Sequence, residues 1–355
     1  MSSSFWKGKK IFLTGHTGFK GSWLSIWLHE MGAEITGYSS DIPTSPSLFE
    51  ETGLDKKISH ITGDVRDFDF LQKSVKEADP DILFHMAAQP LVRLSYEAPR
   101  ETYETNIMGT VNVLEAIRQV PSIKSAVIIT TDKCYENREM EYGYRETDPM
   151  GGFDPYSSSK GAAELVVAAY NQSYFKRTGQ VVCTARAGNV IGGGDWAKDR
   201  LVPDVIRAIN NNEKVFIRNP KAIRPWQHVL EPLSGYLILA EKGYLGKPVH
   251  GGWNFGPAYE DAQSVQWITE KIADVWGKKN IWEKDGNEQP HEASYLRLDI
   301  SKASNKLKWN PKWNADTTVE KTINWYKDFF SDRVGSKTEV YQRCVTDLKA
   351  FMNKN

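Results

Sequence analysis

The chain has 355 residues, 40% hydrophobic and 25% charged, a composition typical of a folded globular protein with two or three folding units rather than of a disordered or collagen-like chain. Lys and Arg number 45, as do Asp and Glu, so no global field favours binding to nucleic acid or to an anionic membrane. No apolar stretch approaches the ~18 residues of a membrane span, and three widely spaced cysteines favour neither a disulfide framework nor a zinc site. We therefore expect a cytoplasmic protein without nucleic-acid partners, membrane partners or a bound metal.

Short apolar runs alternate with amphipathic segments through the first half of the chain. The runs are rich in Ile, Val and Phe, which favours strands, and the segments between them have helical periodicity. Strands are predicted at residues 10–14, 34–38, 58–62, 82–86, 126–131 and 181–185, and helices near 18–31, 67–78, 97–119 and 157–177. Such alternation is typical of a parallel sheet with helices on both faces, so we predict an α/β fold with a Rossmann-type, doubly wound sheet.

The pattern changes after residue 188, where three consecutive glycines, residues 192–194, open a loop region. We interpret residues 1–188 as a dinucleotide-binding domain. Residues 189–355 are predicted to form mainly a smaller substrate-binding lobe, interleaved with the sheet, with some segments returning to the sheet domain. Helices are expected there near 201–211, 231–242, 263–276 and 300–306, a strand at 215–217, and a charged helical tail from about 315.

A glycine-rich turn lies between the first predicted strand and the first helix, with Gly15, Gly18 and Gly21 at three-residue spacing. Glycines permit a tight turn and let backbone N–H groups approach a pyrophosphate at a helix N-terminus. We therefore predict dinucleotide binding here; the alternative is a turn that only lets strand and helix pack. Further candidate cofactor contacts in this turn are Thr17, Phe19 and Lys20.

The end of the second strand lacks the acidic residue that usually binds the adenosine ribose. It has Ser39 and Ser40, followed by Asp41, and which of the three holds the ribose stays open. No Arg is present there to receive a 2′-phosphate, which favours NAD over NADP. Asp64 and Val65 follow the third strand and are candidates for the adenine edge, although Asp64 could equally cap the next helix.

Tyr156 and Lys160 are four positions apart, which puts them on one face of a predicted helix. A lysine ammonium together with a nicotinamide cation would lower the pKa of the phenol, so Tyr156 could take a proton from a sugar or alcohol hydroxyl. Pairs of this spacing are common by chance, but this one opens a helix downstream of the glycine turn.

A polar segment, Thr130-Thr131-Asp132-Lys133, ends the fifth predicted strand. Ligands of open α/β sheets bind beyond the carboxyl ends of the strands, so Thr131, Asp132 and Lys133 are candidate acid–base groups. A solvated Asp–Lys pair in a strand-end turn is the alternative. Cys134 beside them is better suited to packing than to nucleophilic catalysis.

Arginines and aromatic residues cluster in three later segments, residues 186–196, 218–220 and 224–228. A guanidinium fork matches the oxygens of a diphosphate, and aromatic faces suit a base or a sugar. These loops are therefore predicted to bind a diphosphate. We interpret His228, in the last segment, as structural rather than catalytic.

Together the motifs resemble the extended short-chain dehydrogenase/reductase superfamily and, more narrowly, the nucleotide-sugar 4,6-dehydratases, from about residue 5 to residue 330. The resemblance lies in the glycine turn with its Lys20, in Asp132-Lys133-Cys134-Tyr135, and in residues 85–93, 186–196 and 223–228. Relatives that use dTDP-glucose have Asp-Glu in place of Asp132-Lys133, and this departure argues against a dTDP substrate. The resemblance implies CDP-glucose as the substrate. It also implies NAD as the cofactor and a homo-oligomer, a dimer or a tetramer, built through helix bundles.

The resemblance implies conversion of CDP-glucose to CDP-4-keto-6-deoxyglucose, a precursor of dideoxyhexoses in bacterial surface polysaccharides. Tyr156 would take the 4-hydroxyl proton, Lys160 would hold the cofactor ribose, and Thr131 would bind the C4 oxygen. Lys133 would remove the C5 proton while Asp132 protonates the departing 6-hydroxyl. Other implied contacts are Ala87, Ala88, Gln89 and Asn106 for the cofactor, and Gln89, Arg93, Asn189, Arg200, Arg218, Arg224 and Tyr295 for the substrate.

Two alternatives stay open beside this lyase. An epimerase, or a dehydratase for a dTDP- or GDP-hexose, would share Tyr156 and Lys160, but an epimerase would not need Asp132 and Lys133 as an elimination pair. An NAD-sensing regulator would keep the fold without catalysis, and the intact set of candidate residues argues against it.

Overall fold

The computed structural model describes residues 3–286, 295–331 and 335–354. The strands in these ranges are β1 Lys10–Thr14, β2 Glu34–Ser39, β3 Ser59–Thr62, β4 Ile82–His85, β5 Ser125–Ile129, β6 Val181–Ala187, β7 Val190–Ile191, β8 Val215–Ile217, β9 Ile223–Arg224, β10 Gln227–His228, β11 Gly251–Phe255, β12 Gln263–Ser264 and β13 Trp282–Lys284. The α-helices are α1 Ser3–Trp6, α2 Phe19–Glu30, α3 Leu48–Glu51, α4 Phe68–Ala78, α5 Val92–Glu97, α6 Pro99–Tyr103, α7 Gly109–Gln119, α8 Pro155–Tyr170, α9 Lys176–Thr178, α10 Leu201–Asn211, α11 Leu230–Tyr244, α12 Val265–Trp276, α13 Ala315–Phe329 and α14 Lys337–Asn353.

Seven strands form one sheet in the order β11-β6-β5-β4-β1-β2-β3, and every neighbouring pair is parallel. The predicted α/β class with a Rossmann-type sheet is confirmed. Strand β1 lies between β2 and β4, so the chain reverses its direction of growth across the sheet there. The loops that follow β1 and β4 meet at this point, which is where ligands of doubly wound folds bind.

Two apolar layers cover the two faces of this sheet because side chains alternate along each strand. Ile11 and Leu13 of β1 enter the layer that contains Trp27 of α2 and much of α11. Phe12, between them, enters the opposite layer with Leu114 of α7 and residues of α4. Burial of each large apolar side chain is worth about 1.5–3 kcal/mol, so these layers hold the strand ends, and hence the site, in place.

The second half of the chain contributes both to this sheet and to the lobe beside it. Strand β11 pairs with β6 as the seventh strand, and α11 packs in one apolar layer. Gly251, Gly252 and Asn254 are weak strand formers, so the sequence indicated no strand here. Three two-stranded sheets, β10-β7, β12-β9 and β13-β8, lie outside the seven-stranded sheet in the described ranges.

The helix predicted near 97–119 differs from the structure in detail. The helix expected over 97–119 is interrupted: α5 ends at Glu97, Pro99 begins α6, and a π-helical turn, Glu104–Met108, leads into α7. The residue before a proline avoids helical backbone, which explains the break at Ala98. In the described ranges, no helix is both long and apolar enough to cross a bilayer.

Candidate active site

The three glycines of the turn after β1 are required for different reasons. Gly15 has φ +73°, and a Cβ there would lie 2.6 Å from the backbone nitrogen of Ala87. A Cβ on Gly21 would lie 2.1 Å from the carbonyl oxygen of Gly15. Gly18 is different, because the nearest atom to its Cβ position is 3.5 Å away. Packing therefore explains Gly15 and Gly21, whereas the open space at Gly18 suits the close approach of a ligand.

Helix α2, which starts after Gly18, has no side-chain cap at its N-terminus. Asp67, Asp154 and Asn314 cap helices α4, α8 and α13 by accepting from a backbone N–H of the first turn. The first N–H groups of a helix lack partners within the helix, so an uncapped start with a glycine at its edge can receive an anion. The turn thus fits the pyrophosphate of a dinucleotide.

The predicted ribose-binding residues lie beside this turn. The hydroxyl of Thr17 donates to the carbonyl oxygen of Asp41 at 2.7 Å, which brings the loop after β2 against the glycine turn. Ser39 is buried, with its hydroxyl 3.0 Å from Nδ1 of His16. Ser40 donates to the carboxylate of Asp41 at 2.8 Å, and both are exposed. Ser40 and Asp41 are therefore the accessible members of the three candidates.

Asp64 and Val65 follow β3, as expected, but the structure gives Asp64 a partner. Its carboxylate accepts from Nε of Arg66 at 2.9 Å and from the backbone N–H of Arg66 at 2.8 Å, which lowers the pKa of Asp64. Val65 is buried. The alternative role of Asp64 as a helix cap is wrong, because Asp67 caps α4 by accepting from the backbone of Phe70 at 3.1 Å.

The loop after β4 contains the next group of predicted cofactor residues. Ala87 and Ala88 are partly exposed. Asn106 is buried, and its amide bonds both to the backbone of Gln89, at 2.9 and 3.1 Å, and to the hydroxyl of Ser159 at 2.9 Å. Asn106 therefore ties this loop to α8 and supports the site from behind.

The segment after β5 brings the predicted acid–base groups into one cleft. The hydroxyl of Thr131 donates to Oδ1 of Asp132 at 2.9 Å. Oδ2 of Asp132 is buried and has no hydrogen-bond partner among the described residues. Burial raises the pKa of Asp132, although the charge of Lys133 partly lowers it. A Cβ at Gly188 would lie 1.8 Å from Oδ2, so only glycine leaves room for this carboxyl group. The carboxyl is thus placed to hold a proton and to give it to a ligand.

Tyr156 and Lys160 lie in the first two turns of α8. Burial raises the pKa of Tyr156 to about 12, and a hydrogen bond with Thr131 opposes that rise. Lys160 is buried, and its ammonium donates to the carbonyl oxygen of Ile129 at 3.2 Å. Burial lowers the pKa of Lys160 to about 8, while the carboxylate of Glu164 raises it. The phenol and the ammonium therefore meet the same strand end as the acid–base segment.

Lys20 extends from the glycine turn into this cleft. Burial and the nearby cations Arg200 and Lys160 together lower its pKa to about 7, against the opposite effect of Asp132. Lys20 thus lies in the predicted cofactor turn and is also close to the acid–base groups.

A cleft of about 660 Å³ connects these groups to the lobe. Among its lining residues are Phe19, Lys20, Thr131, Asp132, Lys133 and Tyr156 from the predicted catalytic and cofactor sets, and Arg93, Asn189, Arg200, Arg218 and Arg224 from the predicted substrate set. Gln89 and Tyr295 are not among them. The Gln89 amide bonds to Leu91 within its own loop and to Thr102 of α6, and the Tyr295 hydroxyl donates to the carbonyl oxygen of Glu141 at 3.0 Å.

Two of the lining arginines are paired with aspartates that sequence reasoning had not assigned to them. Arg93 lies 3.0 Å from Asp199, and Arg200 lies 3.0 Å from Asp195. Each pairing orients a guanidinium at the cleft wall. Arg218 is only partly buried there.

Arg186 is a correction to the sequence analysis. It was expected to suit a diphosphate in a loop, but it lies within β6, with its guanidinium 2.7 Å from the carboxylate of buried Glu164. Glu164 follows Lys160 by four residues on α8, a spacing visible in the sequence and not used. His228 is buried against the rings of Trp23 and Trp313, as a structural residue would be.

Over residues 12–322, the sequence matches the family model described as GDP-mannose 4,6 dehydratase. The chain belongs to this family. Among the curated members of this dehydratase family, the CDP-glucose 4,6-dehydratase of Salmonella typhimurium is 56% identical over 333 residues, which cover 92% of this chain and 93% of the relative. The dTDP-D-glucose 4,6-dehydratase of Homo sapiens is 25% identical over 331 residues, covering 91% of each chain. The resemblance to nucleotide-sugar 4,6-dehydratases is therefore confirmed.

Solved structures share the fold. A dTDP-glucose 4,6-dehydratase from Bacillus anthracis in complex with NAD superimposes with a TM-score of 0.76 at 23% identity, covering 90% of this chain and 96% of that one. A UDP-glucose 4-epimerase from Thermotoga maritima with UDP-glucose superimposes with a TM-score of 0.79 at 20% identity, covering 90% of this chain and 99% of that one. Dehydratases and epimerases thus share this architecture, and the fold alone does not distinguish them.

Proposed function

We propose that the protein is an NAD-dependent carbon–oxygen lyase that converts CDP-glucose to CDP-4-keto-6-deoxyglucose. One observation carries the proposal: Asp132 and Lys133, an acid–base pair for elimination, line the same cleft as Tyr156, a base for oxidation. An epimerase needs only the oxidation group. The 56% identical relative, a CDP-glucose 4,6-dehydratase, supports CDP-glucose as the substrate.

The glycine turn and its neighbours fit NAD. The uncapped N-terminus of α2 and the open space at Gly18 suit its pyrophosphate, and Ser40 and Asp41 suit its adenosine ribose. When bound, NAD supplies the acceptor for a hydride from the sugar and later returns it. Lys160 holds the nicotinamide ribose in this scheme.

Oxidation at C4 of the glucose uses the head of α8. Tyr156 takes the proton of the 4-hydroxyl, and Thr131 hydrogen-bonds the same oxygen. The buried ammonium of Lys160 stabilises the phenolate that this step requires. General-base catalysis of this kind contributes typically ~10²–10⁴-fold to the rate.

Elimination follows because a ketone at C4 acidifies the hydrogen at C5. Lys133 removes that proton, and the protonated carboxyl of Asp132 gives its proton to the departing 6-hydroxyl. The products of this step are water and a C5–C6 alkene conjugated to the ketone. Reduction at C6, with a proton returned to C5, completes the 6-deoxy sugar.

The nucleotide part of the substrate lies along the lobe in this proposal. Guanidinium groups bind a diphosphate through paired hydrogen bonds. The contacts that we propose are Arg93, Asn189, Arg200, Arg218 and Arg224. Gln89 and Tyr295 are proposed to act from outside the cleft wall, through the loops that they brace.

We also propose that the enzyme is a homo-oligomer assembled through α8 and the helices beside it. Leu165 on α8 is 62% exposed, and Met108 in the π-helical turn before α7 is 50% exposed. The hydroxyls of Tyr103 on α6 and Ser158 on α8 lie 2.8 Å apart, so α6, which leads into the π-helical turn, is a neighbour of α8. Exposed apolar side chains on adjacent helices suit burial against a second copy.

A cytoplasmic location is proposed from the chemistry of the cysteines. Cys134, Cys183 and Cys344 are free thiols and all are buried. Such cysteines suit a reducing compartment.

The function is tested by incubating the purified enzyme, with added NAD, with CDP-, dTDP-, GDP- and UDP-glucose and measuring loss of water by mass spectrometry. We expect dehydration of CDP-glucose in preference to the others, and none with Tyr156→Phe. Interconversion of epimers without loss of water would support an epimerase, and dehydration of another nucleotide sugar instead would reject CDP-glucose.

A further inference from the structure

Glu164 is a buried carboxylate that the proposed reaction does not use. It accepts four hydrogen bonds: Nε of Arg186 donates at 2.9 Å and Nη2 at 2.7 Å, and the hydroxyls of Thr130 and Thr184 donate at 2.5 and 2.6 Å. Burial acts to raise the pKa of Glu164, but Arg186 and the hydroxyls bring it below its usual value. The group is therefore a fixed negative charge inside the protein.

Arg186 uses its third nitrogen for a different partner. Nη1 donates to the hydroxyl of Tyr135 at 2.6 Å, and that hydroxyl donates to Oδ1 of Asn254 at 2.7 Å. The ring of Tyr135 is buried and stacks on Tyr144 with centroids 5.4 Å apart. Tyr135 is thereby held on its hydroxyl and on its face.

Two of the residues that hydrogen-bond this ion pair, Thr130 and Tyr135, flank the segment with Thr131, Asp132 and Lys133. Glu164 itself lies on α8, one helical turn beyond Lys160 and two beyond Tyr156. The pair thus connects the elimination groups to the helix with the oxidation groups.

We propose that Glu164 and Arg186 are positioning residues that clamp the Thr131–Cys134 segment at both ends and fix its distance from Tyr156 and Lys160. The inference rests on the proposed function. Misplacement of a catalytic group by about 1 Å can cost ~10²-fold in rate, so such a clamp affects catalysis without touching the substrate. Helix α8 has its own cap, Asp154, so we expect loss of the clamp to impair elimination more than oxidation.

The same carboxylate also acts on Lys160, whose pKa it raises against the effect of burial. Removal of the Glu164 charge therefore lowers the pKa of Lys160 further. The alkaline limb of the pH profile, where Lys160 loses its proton, should move to lower pH. A role limited to packing would not produce this shift.

The test uses Glu164→Gln, Arg186→Lys and the milder Tyr135→Phe in the NAD-loaded enzyme. Single-turnover reactions with CDP-glucose follow cofactor reduction by absorbance and product by mass. We expect product formation to fall ~10–10²-fold, with reduced cofactor accumulating and the KM for CDP-glucose little changed. Arg186→Lys, which keeps the charge, should be less impaired than Glu164→Gln.

The matched control is Arg343→Met, which breaks another buried ion pair, with Asp347 at 2.7 Å on α14. We expect it to lower thermal stability without accumulation of reduced cofactor or a shift of the pH profile. Equal effects of Glu164→Gln and Arg343→Met on all readouts would reject the clamp.

Amide hydrogen exchange gives a readout that does not depend on activity. Peptides covering residues 130–135 should exchange faster in Glu164→Gln and Tyr135→Phe than in the wild type, and peptides of α14 should not. Unchanged exchange in these variants, together with a wild-type ratio of reduced cofactor to product, overturns the clamp. A second outcome separates the two proposals. If the variants exchange faster but the wild type dehydrates no nucleotide sugar, the proposed function is rejected and the clamp stands.

Discussion

At the scale of single residues, burial sets the chemistry of the cleft. Removal from water favours the neutral form of every ionisable group, so it raises the pKa of Asp132, raises that of Tyr156 to about 12 and lowers that of Lys160 to about 8. For Asp132 this is the direction of shift that the acid of an elimination requires. A nearby cation helps Tyr156 to lose its own proton: the charge of Arg200 lowers its pKa, and Lys160 follows it by one turn of α8.

Lys133→Ala tests the separation of the two steps. Oxidation at C4 does not use Lys133, so the variant should bind CDP-glucose and reduce the bound cofactor. It should then stall, with reduced cofactor accumulating, little 6-deoxy product and slower exchange of solvent deuterium into C5. In a single turnover, absorbance measures the reduced cofactor, and mass spectrometry measures the product and the deuterium at C5. Lys73→Ala, a change at an exposed lysine, is the control. Near-normal dehydration, or no cofactor reduction despite substrate binding, contradicts the role of Lys133 as base.

The pH dependence follows from Lys160. Its pKa is about 8, so its ammonium is present below that pH and is lost as the pH rises through it. Because we propose that the Lys160 ammonium stabilises the phenolate of Tyr156, we expect kcat/KM to fall on the alkaline side of about 8. A guanidinium stays charged throughout this range. Lys160→Arg, where it remains active, should therefore lack the alkaline limb, and a limb identical to that of the wild type would assign it to another group.

At the scale of elements, the candidate site residues lie together at the carboxyl ends of the parallel strands. Loops after β1, β2, β4, β5 and β6 supply the glycine turn, Asp41, Ala87, Asp132 and Gly188, respectively. These residues are far apart in sequence, and they meet because parallel strands all end at the same edge of the sheet. Helices α2 and α8 then point their N-termini at that edge.

Two glycines of the turn give opposite expectations on substitution. Gly21→Ala places a Cβ 2.1 Å from the Gly15 carbonyl oxygen, so it should lower the melting temperature even without NAD. Gly18→Ala meets nothing closer than 3.5 Å, so its melting temperature without NAD should stay near that of the wild type. Its affinity for NAD should fall, because the added methyl group occupies the space of the pyrophosphate. Calorimetry and NAD titration measure both effects, and unchanged NAD affinity in Gly18→Ala would falsify this placement.

At the scale of the whole molecule, the exposed apolar side chains on α8 and its neighbouring helices are the basis of the proposed homo-oligomer. Leu165→Glu puts a charge where we expect a second copy to pack, so it should shift the protein towards monomer in analytical ultracentrifugation. Leu245, 57% exposed just after α11, provides the matched control, and Leu245→Glu should leave the assembly intact. Identical sedimentation of both variants and the wild type would place the interface elsewhere.

Local pattern was enough for much of this molecule. Apolar periodicity predicted six strands of the sheet and the α/β class, and spacing predicted the glycine turn and the Tyr156–Lys160 pair. The sequence neighbours Asp132 and Lys133 were found because they follow a strongly apolar strand. Such features need only contacts within a few residues, and a single sequence displays those directly.

Only the tertiary structure decided which distant groups pair. The weak strand β11 forms because it pairs with β6 along its whole length. Arg186 is drawn into the core by Glu164 instead of facing a diphosphate, and Gly188 is glycine because Asp132 fills the space beside it. Each outcome depends on burial and on partners far away in the chain. Burial and pairing remove a charge or a strand edge from water, and the local sequence does not show either effect.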